Sequence, residues 1–226
     1  MHITYFGHSC FLLETRGSKI LFDPYISVNE LAKDIDINQI KCDFIAVSHG
    51  HEDHILDLVP IAKNTGAQVI GCFELGEYLE ENGITNFHGM NVGGTFDFPF
   101  GTLQMTIAQH SNSFNGRYMG AAGGFVISSD EETFFYAGDT ALTYDFKLLA
   151  QKFNITTAAL PIGGNFTMDY KDALLASDFI DCRQIIALHY DTFPPIRVNQ
   201  EKVSTYYKNA GKRIHFMQIG QNKEFN

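Results

Sequence analysis

Apolar positions in the first third of the chain fall in short runs, some alternating and some unbroken. That pattern marks strands rather than helices. Residues 3–6, 10–14 and 19–22 read this way, separated by Gly7-His8-Ser9 and Arg16-Gly17-Ser18. Residues 44–47 form a continuous apolar run that ends abruptly in Ser48-His49-Gly50-His51, as a buried strand does when it feeds a loop. The spacing then predicts a helix over 55–64, a strand over 68–72 and a short helix over 74–82 that Gly83 stops. Farther on, 103–108, 124–128 and 133–136 are strand candidates, and the polar, glycine-containing segment 111–123 reads as a mobile loop. Helix and strand alternate from there. Helices are predicted over 146–153, over 170–180 with Asp169 as N-cap, and over 199–209; strands over 157–160, 185–188 and 213–216.

A strand-rich first half followed by helix–strand alternation, with no linker, no short-period repeat and no low-complexity tract, suits two packed sheets with helices outside. At 226 residues the chain is expected to form one domain over 1–226. Hydrophobic residues make up 45% and charged residues 19%, a globular balance that argues against disorder. Twenty Phe and ten Tyr against no Trp make Phe the expected core aromatic. The net charge of −10 would repel a polyanion, and no basic run exceeds Lys212-Arg213, so no nucleic-acid partner is expected. Cys10, Cys42, Cys72 and Cys182 form no C-x-x-C pair and suit four single buried thiols. The N-terminal segment lacks the basic and apolar regions of a signal peptide, and no stretch reaches the roughly 18 apolar residues of a spanning helix. The sequence is therefore expected to be cytoplasmic, without a membrane partner; a homo-oligomer is left open.

The chemistry concentrates in His49-Gly50-His51-Glu52-Asp53-His54. Three imidazoles and an acid directly after a buried strand are ligands that a borderline divalent ion such as zinc prefers. Crowded histidines without a metal would each suffer when a neighbour protonated, whereas coordination keeps the rings neutral. The alternative is a polar surface loop whose histidines fall together by chance.

With its H-x-H-x-D-H after a strand, the chain resembles the metallo-β-lactamase superfamily. Members of that superfamily supply a further His, Asp and His downstream at strand ends, which His110, Asp139 and His189 match here. Phe6-Gly7-His8-Ser9-Cys10-Phe11, Phe22-Asp23-Pro24, Gly164-Asn165-Phe166-Thr167-Met168 and His189-Tyr190-Asp191-Thr192-Phe193-Pro194 narrow the resemblance to the UPF0173 group of metal-dependent hydrolases, a group similar to the ascorbate-phosphate lactonase branch. The resemblance runs from residue 1 to about residue 216 and implies an α/β fold of the four-layer αββα sandwich type, with the site at one edge of two sheets.

The same resemblance implies the roles. His49, His51 and His110 would hold one divalent ion, Asp53, His54 and His189 a second, and Asp139 would bridge them. Zinc suits such donors, and manganese, iron or nickel is admitted. A hydroxide bridging the two metals would then attack a small-molecule ester, lactone or phosphoester, with Asp53 orienting it or passing a proton to the leaving group. Two such ions would return about +4 at the site, so the negative overall charge does not exclude an anionic small substrate. An iron-dependent oxidoreductase of the persulfide dioxygenase kind is the alternative on the same scaffold. A nuclease is disfavoured by the charge. Five further positions stay open: His8 as a turn residue or a site group, Asp23 as a turn cap or the acceptor for a ligand histidine, Arg117 as a solvated cation or an anchor for an anionic substrate, and Tyr190 and Thr167 as packing or substrate contacts. Glu52 is expected to face away.

Overall fold

A computed structural model describes residues 1–129 and 132–225. The first sheet holds β1 (His2–Gly7), β2 (Cys10–Thr15), β3 (Ser18–Phe22), β4 (Phe44–Ala46), β5 (Gln68–Cys72) and β6 (Phe87–Met90) in sequence order. The second holds β7 (Thr95–Phe98), β8 (Gly101–Ile107), then, after a two-stranded hairpin of β9 (Ser113–Phe114) and β10 (Arg117–Tyr118), β11 (Gly123–Ser128), β12 (Thr133–Tyr136), β13 (Thr157–Pro161), β14 (Gln184–Leu188) and β15 (Arg213–His215). A last strand, β16 (Asn222–Glu224), returns to pair with β1 and completes the first sheet. Both sheets change from antiparallel to parallel pairing partway across, at β3 in the first and at β12 in the second.

Strand period explains the layers. On β2, Phe11 and Leu13 enter the space between the sheets while Cys10 and Leu12 face outward onto helices. On β12, Phe134 and Tyr136 point between the sheets and Phe135 points to the other helical layer. Both faces of each sheet are thus covered, which is why these strands read as unbroken apolar runs. The helices α1 (Glu52–Ile55), α2 (Leu58–Thr65) and α3 (Leu75–Glu81) lie along the first sheet, with Leu58, Ile61 and Leu79 buried against Ile45 and Val69. Covering the second sheet are α4 (Asp145–Lys152), α5 (Tyr170–Phe179) and α6 (Gln200–Asn209), which contribute Phe146, Ala173, Ala176, Val203 and Tyr207. The result is an αββα sandwich. Its centre is aromatic: Phe11 stacks on Phe22 at 4.5 Å and meets Tyr136 edge-on at 5.3 Å.

Two predicted elements differ. The helix expected over 55–64 is divided into α1 and α2, with Asp57 between them accepting from the Ile26 and Ser27 amides and the Ser27 hydroxyl. The expected mobile loop over 111–123 contains the β9–β10 hairpin. All four cysteines are buried and unpaired, and among the described residues no helix is long and apolar enough to cross a membrane.

Candidate metal centre

Every residue of interest leaves the carboxyl end of a strand. His8 follows β1, Asp23 follows β3, His49–His54 follow β4, and His110, Asp139 and His189 follow β8, β12 and β14. Three of them bend the chain sharply as they do so. His8, Asp23 and His189 have φ of 54°, 40° and 53°, a left-handed conformation that non-glycine residues rarely hold unless the surroundings enforce it. The enforcement is partly mutual, since the His189 amide donates to the His8 carbonyl at 2.9 Å. Between His49 and His51 only glycine fits. A Cβ on Gly50 would lie 2.7 Å from Met119 Cγ, and the Gly50 amide donates to Asn112 Oδ1 at 2.7 Å.

The side chains converge in two groups. His49, His51 and His110 bring ligand atoms within 4.8 Å of one another, and so do His8, Asp53, His54 and His189. In the first group His51 Nδ1 faces His49 Nε2 at 2.9 Å and His110 Nε2 at 3.2 Å. Asp139 stands between the groups, its Oδ2 lying 3.0 Å from His189 Nε2, 3.3 Å from His54 Nε2 and 3.7 Å from His110 Nε2. Asp53 Oδ2 accepts from His8 Nε2 at 3.1 Å and lies 3.8 Å from His189 Nε2. All seven residues singled out by the sequence are therefore gathered in one place.

Asp23, fully buried, braces the arrangement from behind. Its carboxylate accepts from His54 Nδ1 at 2.7 Å, the Ser48 amide at 2.7 Å, and the Ser48 and Tyr136 hydroxyls at 2.5 Å each. The bond to Nδ1 directs the other nitrogen of His54 inward. His8 has the matching place on the other side. Its Nε2–H reaches Asp53, and its Nδ1 lies 2.9 Å from the Thr192 hydroxyl.

Charge within the cage follows from burial and proximity. Burial, then the neighbouring His54, holds His49 well below the usual imidazole range. Burial, then His54, lowers His51, and burial lowers His110 against the opposing pull of Asp139. His8 is lowered to about 4, first by burial and then by His189. Burial opposes charge on His54 as well, but Asp139 and Asp23 outweigh it and raise that ring. Asp139 is held well below the usual carboxylate range because His189 and His54 outweigh its burial. Asp53 is lowered by His8 and His54 against its own burial.

These residues fit divalent cations. His54 Nε2 and Asp139 Oδ1 are buried and make no hydrogen bond, an arrangement costly in an apolar interior unless another group satisfies them. His51 Nδ1 faces two further ring nitrogens, so three potential ligand atoms crowd one point. Imidazole and carboxylate donors converging on shared points suit borderline ions.

The cavity in front of the cage holds about 400 Å³ and is lined by His51, Asp53, His110, Ser111, Asp139, His189 and an apolar wall of Phe166, Phe193 and Pro195. Arg117 is not part of it. It sits on β10 and pairs with Glu77 at 2.6 Å and Glu81 at 2.5 Å on α3. Nor does Tyr190 line it, being buried with its ring edge-on to Phe216. The Thr167 hydroxyl donates to the Met168 carbonyl. Glu52 is exposed. The apolar wall went unread in the sequence because attention to 164–168 and 189–194 fell on polar side chains. Phe166 and Phe193 in otherwise polar, glycine- or proline-bearing loops were the available signal.

A family model described as the beta-lactamase superfamily domain matches residues 2–189. A UPF0173 metal-dependent hydrolase of Christiangramia forsetii is 44% identical over 226 residues, covering 99% of this chain and 100% of that protein. Another from Flavobacterium johnsoniae is 44% identical over 225 residues with the same coverage. Among solved structures, a metallo hydrolase from the archaeon Ignicoccus hospitalis superposes with a TM-score of 0.89 at 33% identity, covering 100% of this chain and 99% of that one.

Proposed function

This chain belongs to the β-lactamase superfamily and, within it, to the UPF0173 metal-dependent hydrolases, and on that premise we propose that it hydrolyses a small ester, lactone or phosphoester with two divalent ions. The observation that carries the reading is the convergence of seven imidazole and carboxylate side chains from both sheets. His49, His51 and His110 would hold one ion, Asp53, His54 and His189 the other, and Asp139 would serve both. Bound there, the ions would act as Lewis acids, activating water and polarising an oxygen of the substrate.

The remaining chemistry belongs to the chain's own groups. Asp53 is partly exposed to the cavity and oriented by His8, so its carboxylate can take a proton from water and return it to the leaving group. Asp23 and Asp139 fix the positions of the ligand rings His54 and His189, so the cage is assembled before a substrate enters. The apolar wall of Phe166, Phe193 and Pro195 faces the same cavity as Asp53 and Asp139. Zinc suits the donor set, and manganese, iron and nickel remain compatible with it.

Protein loaded in turn with zinc, manganese or iron should hydrolyse members of a panel of esters, lactones and phosphodiesters. Asp53→Ala should lower the rate at least about 100-fold with an unchanged circular dichroism spectrum. No turnover with any metal would count against this reading, and oxygen consumption on a persulfide by the iron form would replace it with the oxidoreductase one.

A further inference from the structure

Resting on the hydrolase reading, one feature of the cavity narrows the substrate. Among the described residues, its lining contains no Lys or Arg. Enzymes that recognise a carboxylate or phosphate group away from the reacting centre place such cations around it. Arg117, the cation of the β9–β10 hairpin, is committed to Glu77 and Glu81. Asp53 and Asp139 would also offset half of the roughly +4 that two divalent ions bring. What the mouth offers instead is aromatic and apolar.

That wall is built rigidly. Phe166 is 54% exposed and forms part of the cavity lining. Its loop is tied down at both ends: the Gly164 amide donates to the Met168 carbonyl at 3.0 Å, and the Met168 amide donates to the Thr140 carbonyl, next to Asp139, at 3.0 Å. Opposite it, Phe193 packs edge-on against His8 at 5.5 Å. Pro194 and Pro195 follow in a short 3-10 turn, Pro194–Ile196, closed by the Ile196 amide on the Phe193 carbonyl. Both walls are therefore fixed to the segments that carry Asp139 and His189, and little ordering remains when a ligand enters. A volume of about 400 Å³ accommodates a ring or short alkyl group beside the reacting bond.

We propose that this site selects an uncharged substrate, with an apolar, ring-sized substituent between Phe166 and the Phe193–Pro195 turn, and discriminates against substrates with an additional anionic group. The test compares para-nitrophenyl butyrate with para-nitrophenyl hemisuccinate, which adds a carboxylate at similar size, and with para-nitrophenyl phosphate. The butyrate should lead in kcat/KM by about tenfold or more. Phe166→Ser should lower kcat/KM for the butyrate about tenfold, mainly through KM. Phe166→Arg should narrow the gap to the hemisuccinate. A wild-type protein that prefers the hemisuccinate or the phosphate overturns the inference and leaves the hydrolase reading standing. Turnover of none of the three, or of anything else, sinks the hydrolase reading, and equilibrium binding then decides the inference separately. By saturation-transfer NMR, benzyl alcohol should bind and benzenesulfonate should not, with the alcohol signal lost in Phe166→Ser. Stronger binding of the sulfonate, or no effect of the substitution, would overturn the proposal.

Discussion

The Asp23 carboxylate accepts four hydrogen bonds, all from groups that shape the site, and the residue reaches no solvent. Removing its carboxylate would leave buried donors on Ser48, His54 and Tyr136 unsatisfied. Asp23→Ala is therefore expected to destabilise the fold by about 3–5 kcal/mol in denaturant unfolding. In the milder Asp23→Asn, zinc affinity measured by chelator competition should fall about 10–100-fold. Unchanged affinity would deny the bracing role. His8 is tested by a pair of variants. His8→Gln can keep an N–H near Asp53 and should retain zinc affinity, whereas His8→Ala should lose roughly tenfold or more; equal effects would show that the bond to Asp53 is immaterial. At this scale the hexapeptide His49–His54 was legible because its donors are adjacent in sequence. Asp23 and His8 were not separable from turn residues, since their partners lie 31 and 45 positions away. Arg117 and Tyr190 stayed open for a related reason: the direction of a side chain depends on which element packs beside it, and α3 and Phe216 claimed these two.

Strands buried on both faces were the legible elements. Gln68–Cys72 and Thr133–Tyr136 match their predicted bounds, and most others differ by a residue or two. Asp169 and Asn199 cap α5 and α6, as short polar residues before a helix commonly do. The strands that escaped notice lie at or beside sheet edges. β6 has an interior glycine, β7 has only one buried residue, and β16 is Asn-Lys-Glu, which carries no apolar signal at all. β16 nevertheless links the two sheets. Lys223 Nζ lies 2.8 Å from His215 Nδ1 on β15, and the His215 ring meets Phe225 edge-on at 5.1 Å. Burial, then Lys223 and Arg213, lowers His215 to about 4 from an ordinary 6.5. The unfolded chain thus binds a proton below about pH 6.5 that the folded chain refuses until about pH 4, and stability is lost as pH falls through that window. His215→Asn should flatten this part of a thermal-stability profile relative to wild type. A profile of identical slope between pH 4 and 6.5 in both proteins would show that His215 keeps its proton in the fold.

Taken whole, the molecule repeats one plan twice, with antiparallel strands leading into parallel ones in each sheet and the chemistry placed at the carboxyl ends of strands from both. Asp23 and Asp139 occupy matching positions, each just past the strand where the pairing changes, one as brace and the other at the centre of the cage. Fold class was readable from the sequence because layering follows from strand period. The substrate wall was not, because it depends on how loops after β13 and β14 fold back across the mouth. The negative overall charge agrees with a cavity that offers no side-chain cation. Crystals of zinc-loaded protein, with data collected on either side of the zinc absorption edge, reach the central claim most directly. Two anomalous peaks should appear, one among His49, His51 and His110 and one among Asp53, His54 and His189, with Asp139 touching both. A map with no peak in the cage, or with zinc held only by other residues, would contradict it.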